Sequence, residues 1–209
     1  MVLCKSVNYS GIFSKGLPLP VFEISLITLT LLMGASIVWY TLLLGISPMP
    51  SSNKAQAAML QLITLANTQV DSNQDSKKGA IIELGSGWGN LLIAIAKQYP
   101  QRNIVGYELS LLPWLTSLLV IKILGLKNIT LHRKDFLKAD LSQASLMLCY
   151  LYPGAMLKIQ EKLKKEPGQL EYLISHNFSL PLQQPINTIQ LDDLYRSPVY
   201  LYQFKEALQ

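Results

Sequence analysis

Residues 81–100 read IIELGSGWGNLLIAIAKQYP. An apolar run closes on an acid, three glycines follow at alternate positions, and apolar residues then recur at helical spacing. A short apolar run of this kind is a buried strand, the glycines permit a tight turn with close backbone approach, and the recurrence is a helix. Joined without a linker, they place the turn at the carboxyl end of a parallel strand, which in a doubly wound sheet faces the ligand crevice. The chain then keeps alternating: AIIEL, a helix over 90–99, NIVGYE, a helix over 113–124, NITLH, a loop, LMLCY, a helix over 155–165, and EYLISH. This predicts an α/β fold, a Rossmann-like doubly wound sheet, mostly parallel, with right-handed crossovers. NTIQL and PVYLYQF, separated by DDLYRSP, predict a C-terminal antiparallel hairpin. Only about ten residues, with Pro181 and Pro185, separate the fifth strand from that hairpin. They are too few for a covering helix, so that side of the sheet is expected to be open to a protein partner or a membrane.

Half of the residues are hydrophobic and only 15% are charged, a balance that a soluble domain alone does not explain. Residues 24–46 run without a charge; such a helix would be roughly 34 Å long and matches a bilayer core of roughly 30 Å. One transmembrane helix is expected there, with Pro18 and Pro20 before it, Pro48 and Pro50 after it, and Trp39 and Tyr40 near an interface. A signal peptide would have a shorter apolar core and a small-residue cleavage site. A buried core helix would not be apolar on every side. The chain divides into an N-terminal segment 1–23, the helix 24–46, a connecting helix and linker 47–79, and a ligand-binding domain 80–209. In the connecting helix, capped near Ser51 to Asn53, Ala57, Met59, Leu60, Ile63 and Leu65 are the packing candidates.

Net charge is +5, but the basic residues are scattered and KLKK at 162–165 is the densest group. That group reads as a solvated helix face, or as a contact with anionic headgroups. Without basic and aromatic residues interleaved, no nucleic-acid partner is expected. Cys4 and Cys149 stand far apart in unlike contexts, so neither a disulfide framework nor a metal site is expected.

The glycine spacing chooses the ligand. A dinucleotide fingerprint needs GxGxxG, whereas Gly85, Gly87 and Gly89 form GxGxG with Asn90 at the third dinucleotide position. A P-loop is excluded because no Lys and Ser/Thr pair follows. GxGxG after Glu83 resembles the S-adenosylmethionine-dependent class I methyltransferases. Glu108 closes the second strand, where a carboxylate accepts from both ribose hydroxyls. The resemblance implies that Asp135 accepts from the adenine amino group beside Phe136, and that Glu83 organises the glycine loop near the methionine end. Ser86 and Leu109 complete that expected cofactor set. Each acid alone is also an ordinary cap or loop charge. Trp88 is read either as a lid or as packing for the N-terminal helix.

GISPMPSSNKAQAAMLQLI, ELGSGWGN, GYELSLLPW, RKDFLKADLS, LYPGAMLKIQEKLKKE and YLISHNFSLP narrow the resemblance. Together they are similar to the membrane-anchored family that includes the mitochondrial lysine methyltransferases of the ATP synthase c subunit and of the adenine nucleotide translocase. The likeness covers roughly residues 45–205. It implies that the segment after the anchor, Pro48, Pro50, Ser51 and Ser52, approaches the cofactor. It also implies that the acceptor is a lysine of an integral membrane protein.

The fourth strand ends CYLYP, without the (D/N)PP(Y/F) motif of nucleobase methylases. Tyr150, Tyr152 and Pro153 are the expected catalytic rim, where rings hold a cation or orient an amine. His176 ends the fifth strand within possible reach, while His132 lies beside the third. Lys5 and Lys15 before the anchor nearly balance Lys54, Lys77 and Lys78 after it, so charge does not fix topology. An intracellular cofactor places the domain on the cytosolic side, or on the matrix side of a mitochondrion. A lipid or quinone acceptor, and an inactive cofactor-binding assembly factor, are the rival readings.

Overall fold

A computed structural model of the chain describes residues 19–44, 52–69, 79–166 and 168–204. Two compact units are distinguished, Met1–Ser36 and Ile37–Gln209, and each is treated by itself. The first helix, α1, is Leu19–Leu44. It begins five residues before the expected start, because Pro20 fits a first helical turn. Within it, Pro20–Leu42 has a mean hydropathy of 2.0 and is long and apolar enough to cross a membrane. Several of its hydroxyls donate to its own backbone. Ser25 donates to the Val21 carbonyl at 2.7 Å, and Thr28 and Thr30 donate to Ile24 and Leu26 at 2.8 Å.

The second unit is a seven-stranded sheet. Its strands are β1 Ala80–Leu84, β2 Ile104–Tyr107, β3 Ile129–His132, β4 Ala144–Cys149, β5 Tyr172–His176, β6 Asn187–Gln190 and β7 Pro198–Gln203. They lie in the order β3-β2-β1-β4-β5-β7-β6, with β7 antiparallel to β5 and to β6. The remaining pairs are parallel. Strands β1, β4 and β5 are buried along their whole length, as strands covered on both faces must be. The sheet is thus the mostly parallel one, closed by a hairpin, that the alternation predicts.

Helices α2 Asn53–Gln69, α3 Asn90–Gln98 and α4 Leu111–Ile123 contribute to one apolar layer, and α5 Pro153–Lys165 to the other. Helix α2 turns Ala55, Ala58, Met59, Leu62, Ile63 and Ala66 inward. Ala57, expected to pack, is instead exposed. Its start is tied by Ser52, whose hydroxyl accepts from the Ala55 N–H at 3.2 Å.

Beyond β5 the chain has no helix among the described residues before β6. The side expected to be open is partly filled by the segment between them. Leu180 is buried with the α5 layer, and its N–H donates to the Tyr202 hydroxyl at 3.0 Å. The Leu182 N–H donates to Gln160 of α5 at 3.3 Å, while the Leu182 side chain stays exposed.

Candidate active site

The strand order reverses at β1, which lies between β2 and β4. At such a switch point two adjacent strands send their chains to opposite faces and leave a crevice at their carboxyl ends. The glycine turn stands there. Gly85, Gly87 and Gly89 have φ of 73°, 53° and 77°, a region open to glycine and strained for other residues. The Gly85 and Ser86 N–H groups both donate to the Tyr107 carbonyl at 2.9 Å, hanging the turn on the end of β2. Gly89 caps α3, and a Cβ there would stand 2.8 Å from the Ser117 hydroxyl. A Cβ at Gly87 would meet nothing within 4 Å, so the middle of the turn opens into the crevice.

Glu108 clasps this turn. Its carboxylate is buried and accepts from the Gly87 N–H at 2.8 Å and from the Ser110 N–H at 2.7 Å. The expected ribose acceptor therefore also fixes the glycine loop. Ser117, fully buried on α4, braces it from the other side, 3.0 Å from the Gly87 carbonyl and 2.8 Å from that of Pro113. Sequence reasoning did not single out Ser117, because its partner is 30 residues away.

Glu83 lies in the crevice wall with 7% of its surface exposed. Burial, reinforced by the nearby Glu108 charge, raises its carboxyl well above the usual value, with a backbone hydrogen bond from Leu92 opposing. Its Oε2 and the hydroxyl of Ser86 are buried without a hydrogen-bond partner among the described residues. The crevice is lined further by Met59 of α2, Trp88, Asn90, Leu91, Cys149 and Tyr150. Burial pushes the Cys149 thiol up to about 12, so it is no thiolate nucleophile.

On the β4 side, the Tyr150 ring lies 4.7 Å from that of His176 and 6.5 Å from that of Phe178. Both His176 nitrogens are buried without a partner among the described residues. Burial holds this imidazole below its usual value, with the Asp193 carboxylate opposing, so it is neutral at physiological pH. Phe178 was not among the expected site residues. Tyr152 and Pro153 are placed differently from Tyr150. Strand β4 ends at Cys149, Tyr152 caps α5 and Pro153 is its exposed first residue. Tyr152 covers Gly154, where a Cβ would come 2.7 Å from its ring, and it is not among the residues lining the crevice.

Asp135 follows β3 and caps the short 3-10 turn Phe136–Lys138, accepting from the Leu137 N–H at 2.9 Å. It and Phe136 are half-buried, as is Leu109. His132 is exposed and stacks on Tyr107 at 5.4 Å. Pro48, Pro50 and Ser51 lie outside the described residues. No group of three or more potential metal ligands occurs among the described residues.

A family model for the ANTKMT methyltransferase domain matches residues 83–187. The chain is 30% identical to the mouse adenine nucleotide translocase lysine N-methyltransferase over 116 residues, 54% of this chain and 49% of that protein. That match spans about half the length of the mouse protein. A protein-lysine N-methyltransferase of Saccharolobus islandicus is 23% identical over 155 residues, 73% of this chain and 90% of that protein. Among solved structures, an RNA methyltransferase from Salinibacter ruber in complex with S-adenosyl-L-homocysteine superposes with a TM-score of 0.62. It is 24% identical, over 77% of this chain and 97% of that one, and it supports the fold.

Proposed function

The chain carries a methyltransferase domain and belongs to the ANTKMT methyltransferase family, and from that premise we propose that it transfers a methyl group from S-adenosylmethionine to a lysine nitrogen of a membrane protein. One observation carries the cofactor reading: the crevice is lined by Glu83 with Glu108 behind the turn, and no Lys or Arg is among its lining residues. A dinucleotide would bring a pyrophosphate to these two acids. A cationic amino acid instead finds an unpartnered carboxylate oxygen at Glu83 and an unpartnered hydroxyl at Ser86.

The residues present fit that ligand. Glu83, Ser86 and the glycine turn would hold its amino acid end, Glu108 its ribose, and Asp135 with Phe136 its base, with Leu109 alongside. When bound, S-adenosylmethionine supplies an electrophilic methyl group on a positively charged sulfur. The protein's task is then to align a neutral amine in line with that group and to exclude water, so that proximity lowers the barrier. An unperturbed lysine ionises near 10.4 and must lose a proton first. The Tyr150 ring, with the neutral His176 packed behind it, would form the acceptor side of the crevice. Desolvation of the amine on burial there favours its uncharged form, and an unprotonated imidazole adds no charge of its own.

The lysine acceptor is supported by the two named lysine methyltransferases among the relatives. The membrane location is supported by Pro20–Leu42. In this reading the catalytic unit faces the compartment that supplies the cofactor. Calorimetric titration of the detergent-solubilised full chain tests the cofactor. Heat with S-adenosylmethionine and none with NAD is expected. Tight NAD binding, or no heat at millimolar S-adenosylmethionine, would overturn the reading.

A further inference from the structure

Helix α4 is apolar on two opposite faces. Pro113, Ser117 and Ile121 are buried. On the other side Leu111, Leu115, Leu119 and Ile123 recur every fourth residue and are 40%, 52%, 58% and 75% exposed. At 100° per residue these four form one continuous stripe, and Lys122 emerges at its C-terminal end. A helix that is apolar all round is ordinarily buried or in contact with lipid. No described element covers this stripe.

The segment that carries the stripe holds charge of one sign. Between Glu108 and Asp135 the sequence has Lys122, Lys127, Arg133 and Lys134 and no acid, and all four cations are exposed. The outer surface of α5 differs, since Glu161 and Glu166 stand among its lysines. An apolar stripe in a segment whose charged residues are all cations matches a surface with anionic headgroups over hydrocarbon, into which leucines insert while lysines snorkel. Soluble protein partners do not require that combination.

We propose that the outer face of α4 docks on an anionic lipid monolayer and so holds the catalytic unit at a fixed attitude to the bilayer. This rests on the anchored reading above. Eight residues, 45–52, join α1 to α2. Fully extended, a stretch of that length reaches at most about 28 Å. A monolayer face on the domain is therefore met at high effective concentration, and weak docking suffices.

Nitroxide accessibility on the full chain tests this. Cys4 is replaced by serine, buried Cys149 is kept, and the chain is reconstituted in vesicles of phosphatidylcholine and phosphatidylglycerol. Single labels are placed by Leu115→Cys and Leu119→Cys, with Glu161→Cys as the solvent control and Leu29→Cys as the anchor control. The expected result is an oxygen-to-nickel accessibility ratio several-fold higher at 115 and 119 than at 161, falling when phosphatidylglycerol is omitted. Ratios at 115 and 119 equal to that at 161, with 29 in lipid, would overturn the proposal and leave the anchor standing. Protection of 115 and 119 from both reagents would assign the stripe to a protein contact and equally overturn it. An unchanged ratio without phosphatidylglycerol would likewise overturn docking on anionic lipid. An aqueous signal at 29 would show instead that the anchored reading had failed.

Discussion

Replacing Glu83 by glutamine should stabilise the free protein and weaken its cofactor binding. The carboxyl is buried, one oxygen has no partner, and both burial and the Glu108 charge oppose its ionisation. Glutamine keeps the shape, and its amide oxygen can still accept from Leu92, so the change removes mainly the charge. The glutamine amide nitrogen is left without a partner where Oε2 stood, at about 1–3 kcal/mol, but the same position ionised costs more, and the gain is that difference. For a domain of this size about 1 kcal/mol moves the melting temperature by roughly 2–4 °C. We expect Glu83→Gln to melt several degrees higher than wild type at pH 8. The sign of the pH dependence follows from the raised carboxyl. The folded state keeps a proton that the unfolded state has lost, so wild-type stability declines as pH rises through the window above the usual glutamate value. The gain should therefore shrink toward pH 4. Binding should move the opposite way. Losing a hydrogen bond to a charged group costs roughly 1.5–3 kcal/mol, or about 10–100-fold in Kd. The wild-type affinity should also tighten as pH rises through the Glu83 ionisation, and the variant should lose that dependence. Scanning calorimetry and isothermal titration across pH measure both. A variant that melts lower at pH 8, yet binds with unchanged affinity and pH profile, would refute the reasoning and make Glu83 structural.

Glu108→Ala should weaken S-adenosylmethionine binding by roughly 1.5–3 kcal/mol and lower the melting temperature as well, because the Gly87 and Ser110 N–H groups lose their acceptor; calorimetry and a thermal melt check both. Gly89→Ala should destabilise by about 1–2 kcal/mol or more from its left-handed backbone, and Ser117→Ala should not relieve this, since the positive φ remains, as thermal melts will show. Tyr150→Ala should lower kcat more than it weakens cofactor binding, whereas Tyr152→Ala should chiefly lower the melting temperature, because only Tyr150 lines the crevice; a steady-state and melting comparison separates them.

The sheet could be read from the sequence because its central strands carry their own signal. AIIEL coincides with β1. LMLCY starts two residues after β4 does, because Ala144 and Ser145 are small and reveal their burial only through the packing of β4 beside β1. The buried face of α2 suffered similarly: alanines at 55, 57 and 58 look alike, and the sheet beneath decides which turn inward. Around the crevice, the glycine turn and the acid that follows β2 are legible because strand ends and turn chemistry are local. Tyr152 was paired with Tyr150 by strand spacing, but β4 stops at Cys149 and the chain has already turned to cap α5. Ser117, Met59 and Phe178 gave no local sign, since each meets the crevice or its rim only through the packing of a distant element. His176 was flagged by position alone, and its neutral state follows from burial beside Tyr150.

The central claim is methyl transfer to a lysine of a membrane protein. Membranes containing the full chain should be incubated with S-adenosylmethionine labelled in its methyl group, extracted with organic solvent, and the protein fraction hydrolysed for amino acid analysis. The account predicts label in an integral membrane protein band, recovered as methylated lysine and lost with Glu108→Ala. Label confined to the lipid extract, with none in methyllysine, would contradict it.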